Sequence, residues 1–413
     1  MNKEVFNKNR ERLSKELENN SILVMFSGVA PKKSADEEYP FTPNRNFYYL
    51  TGINEEHVIL LMVKQNNIVE EFLFIRRPNP VMEKWVGKTI SDEKAKGCSG
   101  VNNIKYTDEF ESLIHEFISI KNLCTVYMDL EKDAFNSMPN NVQSFAYKMK
   151  ENYVQVNIKN IYNDIEKLRA IKSKEEVMEL RNAIDITKDG IEALMKNCKP
   201  GMKEYEIEAY FDFVLKTKGI KDFSFKTIAA TGKNATVLHY VANDGELKDE
   251  DLILFDLGAQ LNYYNADISR TFPVSGKFTE RQKQIYNIVL KAELEVIKII
   301  KPGVPFPELN KLAKRILADG LKEINIIDKD EDLSKYYFHG VSHHLGLDTH
   351  DVGSREGLLE PGMVITVEPG LYIEEEKIGI RIEDDILVTE NGAEVLSKDI
   401  IKTVEEIEKF MAI

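Results

Sequence analysis

Four of the chain's seven histidines, His339, His343, His344 and His350, fall inside one short stretch, FHGVSHHLGLDTHDVG, from Phe338 to Gly353. Imidazoles concentrated in this way can serve metal ligation or proton transfer. Carboxylates accompany them. LILFDLGAQLNYYNADISRTFPV, from Leu252 to Val274, reads as two strands joined by a turn around Leu261-Asn262. Asp256 and Asp267 stand equally far from that turn, so an antiparallel hairpin would set them opposite each other on one face. MVITVEPGLYIEEEKIGIRIEDDILV, from Met363 to Val388, repeats the arrangement, with Glu368 and Glu383 flanking a turn near Glu375-Glu376. Like charges placed directly opposite destabilise a sheet unless a cation lies between them.

Four carboxylates and one imidazole make a donor set rich in oxygen with a single nitrogen. That set suits manganese, iron, cobalt or zinc better than calcium, which wants oxygen alone. Four negative charges match two divalent cations. Two such ions about 3.5–4 Å apart can share a hydroxide, polarise a carbonyl and stabilise an oxyanion. Metal-assisted hydrolysis is therefore the reaction class these residues point to. They do not name the substrate.

Elements must bring these groups together. Single hydrophobic cores stop growing near ~250–300 residues, so 413 residues imply two domains. Residues 1–165 read as a compact α/β domain. SILVMFSG and VILLMVKQNN…EEFLFIRR are its strands, DEFESLIHEFISI is an amphipathic helix, and NRNFYYLTG reads as a core strand. A second domain spans 166–413. It opens on a helix with a capping box at Ser173 and Glu176, stopped by Pro200-Gly201. A second Lys-Pro-Gly at 301–303 ends another helical stretch, QIYNIVLKAELEVIKII. Each is followed by a further helix, from Tyr205 and from Phe306, and then by strands with paired carboxylates. The pattern reads as a duplication with the site between its halves.

Composition narrows the function classes. The net charge is −14 and no basic stripe is present, which excludes wholesale nucleic-acid binding. No apolar run reaches the ~18–20 residues that would span a bilayer, and the charged N-terminal stretch has no signal-peptide core. Cys98, Cys124 and Cys198 are far apart, odd in number and free of any CxxC spacing. They read as reduced thiols of a cytoplasmic protein.

FDLGAQLNYYNADISRTF, HGVSHHLGLDTHDVG, LEPGMVITVEPGLYI and GIRIEDDILVT together resemble the dinuclear metallopeptidases of the pita-bread fold. Within them the chain is most similar to the Xaa-Pro aminopeptidases, with Xaa-Pro dipeptidase close behind. The resemblance is strong over 165–405 and reaches the N-terminal domain through ADEEYPFTPNRNFYYLTGI. It implies an α/β N-terminal domain and an α+β pita-bread domain with pseudo-twofold repeated halves.

Carried onto this sequence, the resemblance makes Asp256, Asp267, His343, Glu368 and Glu383 the metal ligands. Asp267 and Glu383 would bridge two divalent ions, manganese first, with cobalt, iron or zinc as alternatives. His350, His239 and His339 would line the substrate side, and Arg381 would orient ligand carboxylates. Tyr372 would orient near the site or only pack, and His344 would be a packing or surface neighbour. A metal-bridging hydroxide would attack the scissile carbonyl, with His350 at the oxyanion and Glu368 passing the proton to the leaving nitrogen. The substrates implied are peptides with proline in second position. A homodimer or homotetramer is implied too, with Trp85 presented toward a neighbouring active site. One departure is the short link Ser354–Leu358, where relatives carry a longer loop with an arginine that Arg355 would have to replace. Other readings are the dipeptidase, a methionine aminopeptidase, and a non-catalytic peptide-binding module on the same fold.

Overall fold

The computed structural model describes residues 1–132 and 134–412. The chain divides into two compact units, Met1–Arg169 and a second from Ala170 onward. The division falls at the end of the helix Tyr162–Ala170, a few residues later than 165.

The first unit is built on a six-stranded sheet of β1 (Ser21–Phe26), β2 (Ile59–Gln65), β3 (Ile68–Ile75), β4 (Asn103–Tyr106), β5 (Thr125–Met128) and β6 (Asn157–Asn160), in the order β4-β3-β2-β1-β5-β6. The β1–β2 and β2–β3 pairs are antiparallel, and the outer pairs are parallel. One face carries Ile22, Val24, Leu61, Val63, Phe72 and Phe74, packed against Phe110, Ile114 and Phe117 of the expected amphipathic helix. NRNFYYLTG is not a strand. It forms the helix Arg45–Thr51, buried through Phe47, Tyr48 and Tyr49. Asn44 accepts the Phe47 N–H at 2.8 Å, and left-handed Gly52 (φ 64°) closes on the Tyr48 carbonyl at 2.8 Å. Caps at both ends outweigh the strand preference of the aromatics between them.

The second unit repeats one frame twice. Helices α1 (Lys174–Asn197) and α2 (Glu204–Thr217) are joined through Gly201, and α3 (Glu280–Ile299) and α4 (Phe306–Glu323) through Gly303. Both glycines are left-handed, at φ 85° and 83°, a conformation that is cheap only without a Cβ. Gly201 N–H donates to the Leu247 carbonyl, Leu247 N–H to Met202, and Glu204 N–H to Gly245. In the second half Gly303 donates to Leu359, Leu359 to Val304, and Phe306 to Gly357. The duplication read from the two Lys-Pro-Gly turns thus extends to individual backbone bonds.

Each half then supplies a three-stranded sheet. The first holds β7 (Ile228–Thr231), β8 (Leu252–Leu257) and β9 (Ile268–Pro273), in the order β9-β8-β7. The second holds β10 (Val364–Val367), β13 (Asp384–Thr389) and β14 (Gly392–Val395), in the order β10-β13-β14. Between them β11 (Gly370–Ile373) pairs with β12 (Ile378–Arg381). Ile365, Val367, Ile386 and Val388 pack against Val296 and Leu309 of the helices. By strand alternation Thr366, Glu368, Glu383 and Asp385 belong to the opposite face. No helix among the described residues is long and apolar enough to cross a membrane.

Candidate metal centre

The first carboxylate pair is offset from the expected register. The β8–β9 turn is Asn262-Tyr263, one residue later than the sequence suggested, with both residues left-handed at φ 49° and 67°. A two-residue turn of this hand follows the twist of the strands it joins. Asp256 therefore faces Ser269, and Asp267 lies diagonally across on the same face. Gly258 continues this register opposite Asp267, and a Cβ there would sit 1.8 Å from the Ala266 carbonyl oxygen. The second pair keeps the expected register. Val367 faces Asp384 and Gly370 faces Arg381, so Glu368 and Glu383 stand opposite each other where Pro369 interrupts the ladder.

His343 comes from the segment that precedes β10. Its N–H donates to Thr366 Oγ1 at 3.2 Å, and its carbonyl accepts from Thr366 N. Its Nδ1 lies 3.0 Å from the His344 carbonyl, which only accepts, so Nδ1 carries the proton. The Nε2 lone pair then faces Asp267 Oδ2 at 3.4 Å and Glu368 Oε1 at 3.6 Å. A lone pair aimed at two carboxylates is repelled unless a cation sits between them. Donor atoms of Asp267, His343 and Glu383 all lie within 4.8 Å of one another, and all three residues are buried. Asp256 Oδ1 is buried with no hydrogen-bond partner. These residues fit divalent cations. Asp256 and Glu368 flank the compact trio rather than belonging to it.

The electrostatics agree. Burial pushes Asp267 well above the usual carboxylate range, and the charge of Asp256 adds to it. Burial and then Asp267 do the same to Glu383. Burial raises Glu368 to about 7. Arg381 is the cation among them. Its Nη2 donates to Asp256 Oδ2 at 2.5 Å, its Nε to Ser269 Oγ at 2.7 Å and its Nη1 to Tyr372 OH at 3.0 Å. Ser269 Oγ donates onward to Glu383 Oε2 at 2.8 Å. Arg381 thus orients one carboxylate directly and another through a hydroxyl, as a ligand-supporting residue does.

The other histidines surround this centre. His339 Nε2 lies 2.9 Å from Tyr372 OH, and its Nδ1 lies 3.7 Å from Glu368 Oε2. The His350 ring packs edge-on against His343 with centroids 4.3 Å apart. Burial lowers both His339 and His350 to about 4. Exposed His239 lies within electrostatic reach of both, and Arg355 within reach of His350. His344 is a buried packing residue, stacked on Phe306. Sequence reasoning missed Ser269, whose hydroxyl is useful only because Arg381 lies across the sheet. It also missed Asp385, which accepts the Asp267 N–H at 3.2 Å, and the buried support behind Glu383. There Arg270 donates to the Glu383 carbonyl and to Asp384, and Lys402 bridges Asp384 and Glu293. The run Glu383-Asp384-Asp385 inside an apolar strand was the available signal.

The pattern of metallopeptidase family M24 matches residues 178–390, and that of the aminopeptidase P N-terminal domain matches 6–127. The chain belongs to metallopeptidase family M24. It is 35% identical to the Xaa-Pro aminopeptidase of Haemophilus influenzae over 99% of this chain and 97% of that one. A Bacillus anthracis structure described as a candidate aminopeptidase P is 55% identical, with a TM-score of 0.99 over 100% of this chain and 99% of the other. Aminopeptidase P of Escherichia coli, solved with the inhibitor Pro-Leu, is 33% identical, with a TM-score of 0.91 over 100% and 98%. The family accounts for the two-unit architecture and for the use of divalent metal.

Proposed function

We propose that this M24 protein is a metal-dependent Xaa-Pro aminopeptidase, releasing the first residue from peptides with proline in second position. The observation that carries the reading is the His343 Nε2 lone pair aimed at Asp267 and Glu368, within a buried cluster that Glu383 completes. We assign Asp256, Asp267, His343, Glu368 and Glu383 as ligands of two divalent cations, manganese first, in a cytoplasmic enzyme. Bound there, the pair would supply a nucleophilic hydroxide near neutral pH and polarise the scissile carbonyl.

The chain's own residues do the rest. A carboxylate of the cluster holds the substrate's free amine, which restricts cleavage to the N-terminus. His350 donates a hydrogen bond to the oxygen that becomes negative during attack. His239 and His339 line the same side. Glu368 accepts the proton released on attack and delivers it to the prolyl nitrogen as the amide bond breaks. Arg381 keeps Asp256 and Glu383 in place throughout. Trp85, 83% exposed beside Val86, is offered to a second copy of the chain in a homo-oligomer.

The test compares hydrolysis of an Xaa-Pro dipeptide with that of an Xaa-Pro-Xaa tripeptide by manganese-loaded and metal-stripped protein. Release of the first residue from the tripeptide, lost on stripping, is expected. Cleavage of the dipeptide alone would make the enzyme a dipeptidase. Full activity of Glu368→Gln with its metals bound would end the proton-shuttle assignment.

A further inference from the structure

Glu204, the first residue of α2, has no exposed surface. Its carboxylate accepts four hydrogen bonds from one loop. Oε1 accepts from Thr231 N–H at 2.7 Å and from Asn234 Nδ2 at 3.0 Å. Oε2 accepts from Gly245 N–H at 2.7 Å and from Tyr240 OH at 2.8 Å. These donors span both ends and the interior of the loop 231–245, and Tyr240 is the neighbour of His239. A second carboxylate one turn along α2 joins in, since Glu208 Oε2 accepts from Asn243 Nδ2 at 2.8 Å.

The repeated frame shows that the fold alone does not require a carboxylate here. Phe306 occupies the same place in the second half, with the same backbone bond to Gly357, and carries an apolar ring against His344. Lys203 and Glu246 form a backbone bridge in the first half, and Pro305 and Leu358 form one in the second. Both frames close through backbone alone. A buried charge is costly unless every lone pair is matched, and at Glu204 four donors match it. What the matching adds is a fixed conformation of the loop that presents exposed His239.

We propose that Glu204 is a positioning residue for the substrate-side histidine His239, acting through the Tyr240 hydroxyl and the loop ends. The proposal rests on the Xaa-Pro aminopeptidase reading for its effect on turnover, but not for its effect on loop geometry. The experiment uses full-length wild type, His239→Ala, Glu204→Gln, Tyr240→Phe and the double variants with His239→Ala. Tyr240→Phe removes one hydroxyl and keeps the ring, so it remains informative if Glu204→Gln fails to fold.

The first readout is kcat/KM on an Xaa-Pro-Xaa tripeptide, with metal content measured alongside. If His239→Ala costs about 10²-fold, as loss of one transition-state donor does, Glu204→Gln should cost roughly tenfold or more through kcat. Metal content should not change. In the His239→Ala background the same substitution should cost less than about twofold, because two changes acting through one group do not add. The second readout is the His239 ring resonance in the zinc-loaded protein, assigned by its absence in His239→Ala. It should shift or broaden in Glu204→Gln and Tyr240→Phe. An unmoved resonance, or an undiminished loss in the His239→Ala background, would overturn the proposal. Wild type that cuts no Xaa-Pro peptide would end the functional reading instead, and the resonance would still decide the positioning.

Discussion

Removing the cations should make the stability of this protein fall as pH rises from 6.5 to 8.0. Without metal, Glu368 is raised from 4.5 to about 7, chiefly by burial, and Asp267 and Glu383 stand well above their ordinary values. A carboxyl with a raised folded-state pKa binds its proton more tightly when folded. Its stabilising contribution is complete below the unfolded pKa and is lost as pH climbs through the folded one. For Glu368 the whole span is worth about 3 kcal/mol. Buried histidines oppose this at lower pH. His339, His344 and His350 are lowered from 6.5 to about 4, so each adds stability as pH rises between those values. At pH 6.5 each histidine still has about 0.4 kcal/mol of that gain to come, and it is complete near 7.5. Above pH 8 the Cys198 thiol, pushed up to about 12 by burial, would add a loss of its own.

Across 6.5–8.0 the three histidines together add back about 1 kcal/mol, so the net fall is carried by Asp267 and Glu383, which stand well above their ordinary values. Glu368 loses its last ~1 kcal/mol there, and a carboxyl that stays protonated throughout adds about 2 kcal/mol. Calorimetry of chelator-treated protein should show the midpoint of the second unit falling by about 2–4 °C for each kcal/mol. Saturating manganese should reverse the trend, because cations displace the protons and bind better as pH rises. Stripped protein equally stable at pH 6.5 and 8.0 would refute the reasoning.

Three further outcomes follow from the structure. Arg381→Ala leaves Asp256 unpaired among carboxylates and should cost about 3–5 kcal/mol in the stripped protein. The cost should be smaller with metal bound, and equal thermal shifts in both states would contradict it. Gly258→Ala drives a Cβ into the Ala266 carbonyl beside Asp267, so metal content measured by atomic absorption should collapse. Gly97→Ala, with open space around its Cβ inside the helix Asp92–Ser99, should instead stabilise by up to ~1 kcal/mol.

Much of the molecule was legible in the chain itself. The Ser173–Glu176 box, the two Lys-Pro-Gly stops and the apolar strands are local signals, because caps and turns act over a few residues. The Glu368–Glu383 pair could be placed because the intervening turn is centred as its residues suggest. The Asp256–Asp267 pair was placed on the correct face but two residues out of register, since nothing local says that both Asn262 and Tyr263 turn left-handed. At 45–51 the run of aromatics favours a strand, and the caps at Asn44 and Gly52 override it.

Which imidazole faces the carboxylates is a different kind of fact. His343 and His344 are neighbours in sequence, yet one aims a lone pair into the cluster and the other stacks on a phenyl ring. That choice depends on Thr366 across the ladder and Phe306 from a distant helix. The contacts of Ser269, Arg381 and Glu204 likewise join segments far apart in the chain. Residue types and local spacing determined which groups could do chemistry. Only tertiary packing decided their orientation, because lone-pair direction and burial are set by neighbours the local sequence does not contain.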